Sequence, residues 1–206
     1  MKQNFKLIKK DVDVSTTLLE LSNFLEKNTW SNVRSKNISY HENTKHVSLR
    51  EHKINRKDNT VEYYRNSGNI ITVPQNAPYF TKTISLLKIF EKELGGQLER
   101  VMIVTLDGNS NVKPHIDEGS YYLTRDRYHL VLKTNNSINF CGSENQIYNT
   151  GELWWFDNKK MHHVENRSNE TRIHIIFDVL KKKKSLRRNI IDVIETSIYN
   201  TISRLL

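Results

Sequence analysis

Residues 171–180 read TRIHIIFDVL. In an extended chain successive side chains point to opposite faces. Ile173, Ile175 and Phe177 then share one face, and Arg172, His174, Ile176 and Asp178 share the other. The first set is core-facing. The second is a polar face, which a strand turns either to water or to a ligand. Outward from this stretch the same texture repeats. Residues 98–106 (LERVMIVTL), 127–133 (RYHLVLK) and 152–157 (ELWWFD) each read as a strand, and so does the earlier 44–50 (TKHVSLR). Asp107-Gly108-Asn109, Thr150-Gly151 and the run 166–169 supply turn residues. Two helices are expected before the β-rich part. One spans 15–27, with Ser15 as N-cap, and the other spans 83–94, stopped by Gly95-Gly96. A further helix is expected at about 186–205. Several strands at short spacing point to a sandwich or barrel. The expected fold class is therefore mainly β with flanking helices, an antiparallel double-sheet barrel of the jelly-roll type.

The chain has 206 residues, enough for one domain with an appendage and for a hydrophobic core without staples. No run approaches the roughly 20 apolar residues of a membrane helix. Met1–Lys10 contains no apolar core of signal-peptide length, and the single Cys141 cannot form an internal disulfide. Both features lead to an expected cytoplasmic location, and one cysteine excludes a Cys-built zinc finger. The net charge is +9, of which +5 lies in residues 181–206, where seven basic residues meet Asp192 and Glu195. Residues 1–180 are thus expected to form one domain, with a helical N-terminal part to about 97 and a metal-binding β core over about 98–180. Residues 181–206 are expected to form a basic linker and C-terminal helix. Lys181–Lys184 could meet nucleic acid or an anionic surface, but without interleaved aromatics a solvated linker is the better reading.

Three constellations carry chemistry. The first is Pro114-His115-Ile116-Asp117. If extended, it puts His115 and Asp117 on one face, and an imidazole nitrogen with a carboxylate oxygen suits Fe(II) or Mn(II). The second is His162-His163, ten residues before Arg172. A second histidine from a later strand completes a two-His, one-carboxylate facial set with open coordination positions. Arg172 can grip a carboxylate with its fork. The third is Arg127-Tyr128-His129, whose outer two members share a face. Two such groups inside a barrel call for an anion between them, and a dicarboxylate such as 2-oxoglutarate meets that need. Each constellation alone is also compatible with a surface strand.

Together with Gly151–Asp157, His162–Asn166 and Arg172–Asp178, these pieces carry a resemblance. The chain resembles the aspartyl/asparaginyl β-hydroxylase family of Fe(II)/2-oxoglutarate dioxygenases, including its bacterial free-proline cis-hydroxylases. The resemblance covers residues 98–180 well and 15–97 loosely. It implies a double-stranded β-helix and a metal held by His115 and His162. Asp117 completes that set, although some animal members lack a carboxylate there. His163 is expected to face outward. The resemblance further implies that Arg172 binds the 2-oxoglutarate carboxylate and that Arg127 and His129 line the cosubstrate site. The implied reaction uses O2 and hydroxylates an Asp or Asn residue of a polypeptide, or a free amino acid such as proline, releasing succinate and CO2. Glu118–Arg125, with Tyr121 and Tyr122, and residues 52–80, with Arg56, Tyr63, Tyr64 and Arg65, are expected to shape the substrate pocket. The rival readings are a non-catalytic jelly-roll module binding through its basic tail, and a cupin-like metal enzyme without 2-oxoglutarate.

Overall fold

The computed structural model describes residues 3–52 and 70–181. Eleven strands lie among them. In chain order they are β1 (Phe5–Lys9), β2 (Thr44–His52), β3 (Ile70–Thr72), β4 (Gly96–Leu106), β5 (Ser110–His115) and β6 (Arg125–Lys133). After these come β7 (Ser137–Cys141), β8 (Glu144–Ile147), β9 (Leu153–Phe156), β10 (His162–Asn166) and β11 (Arg172–Lys181). The helices are α1 (Ser15–Leu25), α2 (Val33–Asn37), α3 (Thr81–Leu94) and the single turn α4 (Ser120–Leu123). All strand pairs are antiparallel. A seven-stranded sheet runs β1-β9-β6-β11-β4-β2-β3, and a four-stranded sheet runs β5-β10-β7-β8. This is the expected jelly roll, with the larger sheet widened by β1 on one edge and by β2 and β3 on the other.

The alternation in 171–180 divides the large sheet into two faces of different chemistry. Ile175 and Phe177 are fully buried and pack with Leu130, Leu132, Val101 and Ile103 on the outer face. Leu21 and Phe24 of α1 and Leu87 and Phe90 of α3 close over that face. Each such side chain contributes about 1.5–3 kcal/mol when fully buried. The helix–sheet layer is therefore the principal core. The opposite face carries Arg127, His129, Arg172, His174 and Asp178, every one buried. It looks into the space between the sheets, so the polar residues of β6 and β11 point at a site rather than at solvent.

The helices differ from expectation in their ends. Val14 occupies the N-cap position of α1, and the Asp13 carboxylate accepts the Ser15 N–H at 2.9 Å. Ser15 is therefore the first helical residue rather than the expected N-cap. α3 begins at Thr81 and ends where Gly95 takes φ 68°. A residue with a β-carbon pays about 1–2 kcal/mol in that left-handed conformation. β1, β7 and β8 have no counterpart among the expected strands. Asn4, just before β1, donates from its side-chain amide to the Cys141 carbonyl at 2.8 Å, tying the large sheet to β7 of the small one. Among the described residues no helix is long and apolar enough to cross a membrane. Arg56, Tyr63, Tyr64, Arg65 and the expected helix at 186–205, with Lys182–Lys184, lie outside the described residues.

Candidate active site

β5 and β10 are neighbours in the small sheet, and their register sets His115 opposite His162. The two imidazole centroids are 4.2 Å apart. Asp117 lies two residues past the end of β5, so strand alternation does not carry it to the histidines. Asn158 does. Its carbonyl accepts the Asp117 N–H at 3.1 Å, and its side-chain amide donates to Asp117 Oδ2 at 2.8 Å. The available ligand atoms of His115, Asp117 and His162 then all lie within 4.8 Å of one another. His163 is not part of this cluster and stacks on Phe140 at 4.3 Å.

Each of the three groups keeps one lone pair free. Nδ1 of His115 contacts the Lys113 carbonyl and Nδ1 of His162 contacts the Lys160 carbonyl, both at 2.8 Å. A carbonyl only accepts, so both Nδ1 atoms carry the proton and both Nε2 atoms are left as ligands. Oδ2 of Asp117 is taken by Arg127 Nη1 at 2.6 Å and by Asn158, while Oδ1 faces His115 Nε2 at 4.0 Å. Burial, reinforced by the neighbouring His162, pushes the His115 pKa down to about 4. Burial likewise lowers His162. For Asp117 burial acts upward, but Arg127, the two histidines and Asn158 outweigh it and hold the carboxyl below the usual carboxylate range. Two neutral imidazoles and one carboxylate form a donor set that fits Fe(II).

The arginines on the inner face differ in their partners. Arg127 forks onto Asp178 through Nε at 2.8 Å and Nη2 at 3.0 Å, besides its contact with Asp117. Arg100 Nε flanks the same Asp178 at 3.4 Å. Arg172 has only neutral neighbours, Ser137 Oγ at 3.4 Å and Asn139 Oδ1 at 3.3 Å, and its Nε has no hydrogen-bond partner among the described residues. Burial pushes its pKa down to about 10. The Tyr148 hydroxyl and His174 Nε2, also buried, are likewise unpartnered among the described residues. His129 and His174 approach through their Nδ1 atoms at 3.4 Å. A buried guanidinium beside unpaired polar atoms is satisfied by a carboxylate.

One cavity of about 590 Å³, counting its open mouth, joins these groups. His115, His162, Arg127, His129, Tyr148 and Arg172 line it, between apolar walls from Val104, Val112, Phe156, Val164 and Ile176. Of the six residues singled out in the sequence, five line this cavity, and the sixth, Asp117, is held beside them by Arg127 and Asn158. Of the two arginines among them, Arg127 has its fork occupied by protein carboxylates and Arg172 does not, among the described residues. The expected contribution of Tyr121 and Arg125 takes another form. Tyr121 is fully buried, and the Arg125 guanidinium lies 4.3 Å from its ring while pairing with Glu99 at 3.1 Å. Sequence reasoning missed Asn158 and Tyr148. Asn158 was hidden in a turn beside the more conspicuous Asp157. The position of Tyr148, just past a short strand, carried no signal separating it from an ordinary core tyrosine.

The profile of the Aspartyl/Asparaginyl beta-hydroxylase family matches residues 4–182. No curated protein matches the chain significantly. Among solved structures the chain is similar to an oxidoreductase of the 2OG-Fe(II) oxygenase family from Burkholderia pseudomallei. The TM-score is 0.55 at 11% identity, over 82% of this chain and 80% of that one. It is also similar to a prolyl hydroxylase from Trichoplax adhaerens, solved in complex with a hypoxia inducible factor oxygen degradation domain peptide fragment. There the TM-score is 0.53 at 14% identity, over 87% and 84% of the two chains. At such identities these two likenesses show the fold. The family match makes the protein a hydroxylase using Fe(II) and 2-oxoglutarate, and does not favour the non-catalytic reading. The chain, with its jelly roll and its His-Asp-His cluster, belongs to the aspartyl/asparaginyl β-hydroxylase family.

Proposed function

We propose that the protein hydroxylates an amino acid, either as a residue of a polypeptide or in free form, and releases succinate and CO2. His115, Asp117 and His162 hold Fe(II), and Arg172 holds the far carboxylate of 2-oxoglutarate. The observation that carries this reading is the pairing, in one cavity, of a three-residue cluster with free lone pairs and a buried arginine lacking a carboxylate partner among the described residues. Bound Fe(II) and 2-oxoglutarate supply the oxidising chemistry: one oxygen atom of O2 enters a substrate C–H bond, the other enters succinate, and CO2 leaves.

The protein's own residues do the rest. The backbone carbonyls of Lys113 and Lys160 fix the imidazole tautomers. Arg127 and Asn158 hold Asp117 ionised and turn one of its oxygens to the metal position. Arg127 therefore acts as an orienting residue for the carboxylate ligand. Arg172, assisted by the Tyr148 hydroxyl and His129, orients the cosubstrate. Val112, Phe156, Val164 and Ile176 exclude bulk water.

The test is incubation of the Fe(II)-loaded protein with 2-oxoglutarate, O2 and either L-proline or an Asp- and Asn-containing peptide, followed by mass spectrometry. Gain of one oxygen atom by one substrate, matched by an equal yield of succinate, is the expected result. No 2-oxoglutarate consumption with either substrate contradicts the reading.

A further inference from the structure

The cavity has a second guanidinium with no carboxylate partner among the described residues, and it belongs to neither the metal ligands nor the cosubstrate end. Arg34, on α2, reaches inward to line the same cavity as His115, His162 and Arg172. Its Nη1 contacts the Met102 thioether at 3.3 Å, and its Nη2 meets Nε2 of His41. A thioether is a weak acceptor. Guanidinium has only donors, so His41 must accept at Nε2, which puts its proton on Nδ1. That Nδ1 is buried and has no hydrogen-bond partner among the described residues. Arg34 and His41 thus form a patch rich in donors and poor in acceptors.

The patch adjoins the reacting centre. The His41 ring lies 5.0 Å from the His115 ring, edge to face, and the Tyr40 ring stacks on His115 at 4.2 Å. Two of the other cavity-lining and neighbouring arginines are committed to carboxylates. Arg127 pairs with Asp117 and Asp178, and Arg100 pairs with Asp178. Arg172 approaches Asn139 and Ser137, on β7. Arg34 comes from α2, outside both sheets, so two separate cations without carboxylate partners among the described residues face one cavity. One dicarboxylate cosubstrate would account for one of them.

We propose that Arg34, whose contact with His41 fixes its position in the cavity wall, is the anchor for a carboxylate on the substrate. The substrate is then a carboxylic acid: a free amino acid held by its α-carboxylate, or an acidic side chain of a polypeptide. The inference rests on the oxygenase reading above and narrows its substrate class.

The test uses the full chain loaded with redox-stable Mn(II) and saturated with N-oxalylglycine, an unreactive 2-oxoglutarate analogue that fills the cosubstrate position. Two acid and amide pairs are titrated by calorimetry. L-Proline against L-prolinamide probes an α-carboxylate. N-Acetyl-L-aspartic acid α-amide against N-acetyl-L-asparagine amide probes a side-chain carboxylate in a peptide setting. In at least one pair the acid is expected to bind about tenfold or more tightly, as loss of a charge-assisted hydrogen bond implies. Which pair responds identifies the source of the carboxylate. In Arg34→Gln this preference disappears, while N-oxalylglycine affinity stays within about twofold. Equal binding of acid and amide, no acid binding in either pair, or a preference that survives in Arg34→Gln overturns the proposal. The acid and amide comparison in the unaltered protein stands whether or not the variant folds. Failure of N-oxalylglycine to bind the unaltered Mn(II) protein is a different outcome, because it defeats the oxygenase reading itself.

Discussion

At the scale of single residues, the site depends on how one carboxylate is held. Asp117 would be a stray loop aspartate without Asn158 and Arg127, which fix Oδ2 and leave Oδ1 free. Asn158→Ala removes the side-chain contact and frees the loop after β5. It should weaken Mn(II) binding about 10- to 100-fold, the usual effect of losing an outer partner of a metal ligand. A titration followed by electron paramagnetic resonance checks this, and an unchanged affinity counts against the role given to Asn158. Arg127→Gln leaves two buried carboxylates, Asp117 and Asp178, short of their shared counter-charge. The expected loss is about 3–5 kcal/mol of unfolding free energy, measured by urea denaturation. A loss well under 1 kcal/mol would show that the pairing contributes little. The sequence made His115, Asp117 and His162 legible as a candidate ligand set because they recur at chemically suggestive spacings, and the structure brings the three together. It could not reveal that Arg127 is spent on Asp117 and Asp178. That fact depends on the register that sets Arg127 opposite Asp178 across β6 and β11.

Among the elements, the long strands were legible and the short ones were not. β4, β6 and β11 are eleven, nine and ten residues long, and the polar positions of β6 and β11 let their faces be assigned before any coordinates. β7 and β8 are five and four residues of mixed polarity, too short for periodicity to show. β10 was placed only through its histidines. The α3 helix announced itself by its apolar stripe and by Gly95, whereas α1 starts one residue earlier than its Ser15 suggests, with Val14 at the N-cap and the Asp13 carboxylate accepting the Ser15 N–H. The function of these helices is to cover the outer face of the large sheet. Leu87→Ala in α3 opens a cavity there and should cost about 2–5 kcal/mol. Because Leu87 packs on the face away from the ligands, Mn(II) affinity of the folded variant should be unchanged. Urea unfolding together with a metal titration tests both halves. A large fall in metal affinity would mean that the two faces are coupled.

For the molecule as a whole, the large sheet separates an apolar layer, which supplies stability, from a polar chamber that stability would not select. The chamber makes the protein sensitive to acid. His46 is pushed down to about 4 by burial and by Arg34 and Arg100, and burial drives His129 and His174 well below their ordinary range. These groups bind protons in the unfolded chain near pH 6.5 but not in the folded one. Above that value both states are neutral and these groups leave stability constant. As the pH falls from 6.5 toward 4 the unfolded state takes up protons first, and stability drops. The urea midpoint of the metal-free protein should therefore fall steadily across this window, and a flat profile would contradict the buried neutral histidines. The central claim is that His115, Asp117 and His162 present Fe(II) to a keto acid anchored at Arg172. An anaerobic titration of the metal-free protein with Fe(II) and then 2-oxoglutarate, followed by visible absorption, tests it most directly. The account predicts a saturable metal-to-ligand charge-transfer band that is lost in His162→Ala. A well-folded protein that gives no band, or a band unchanged in His162→Ala, would contradict it.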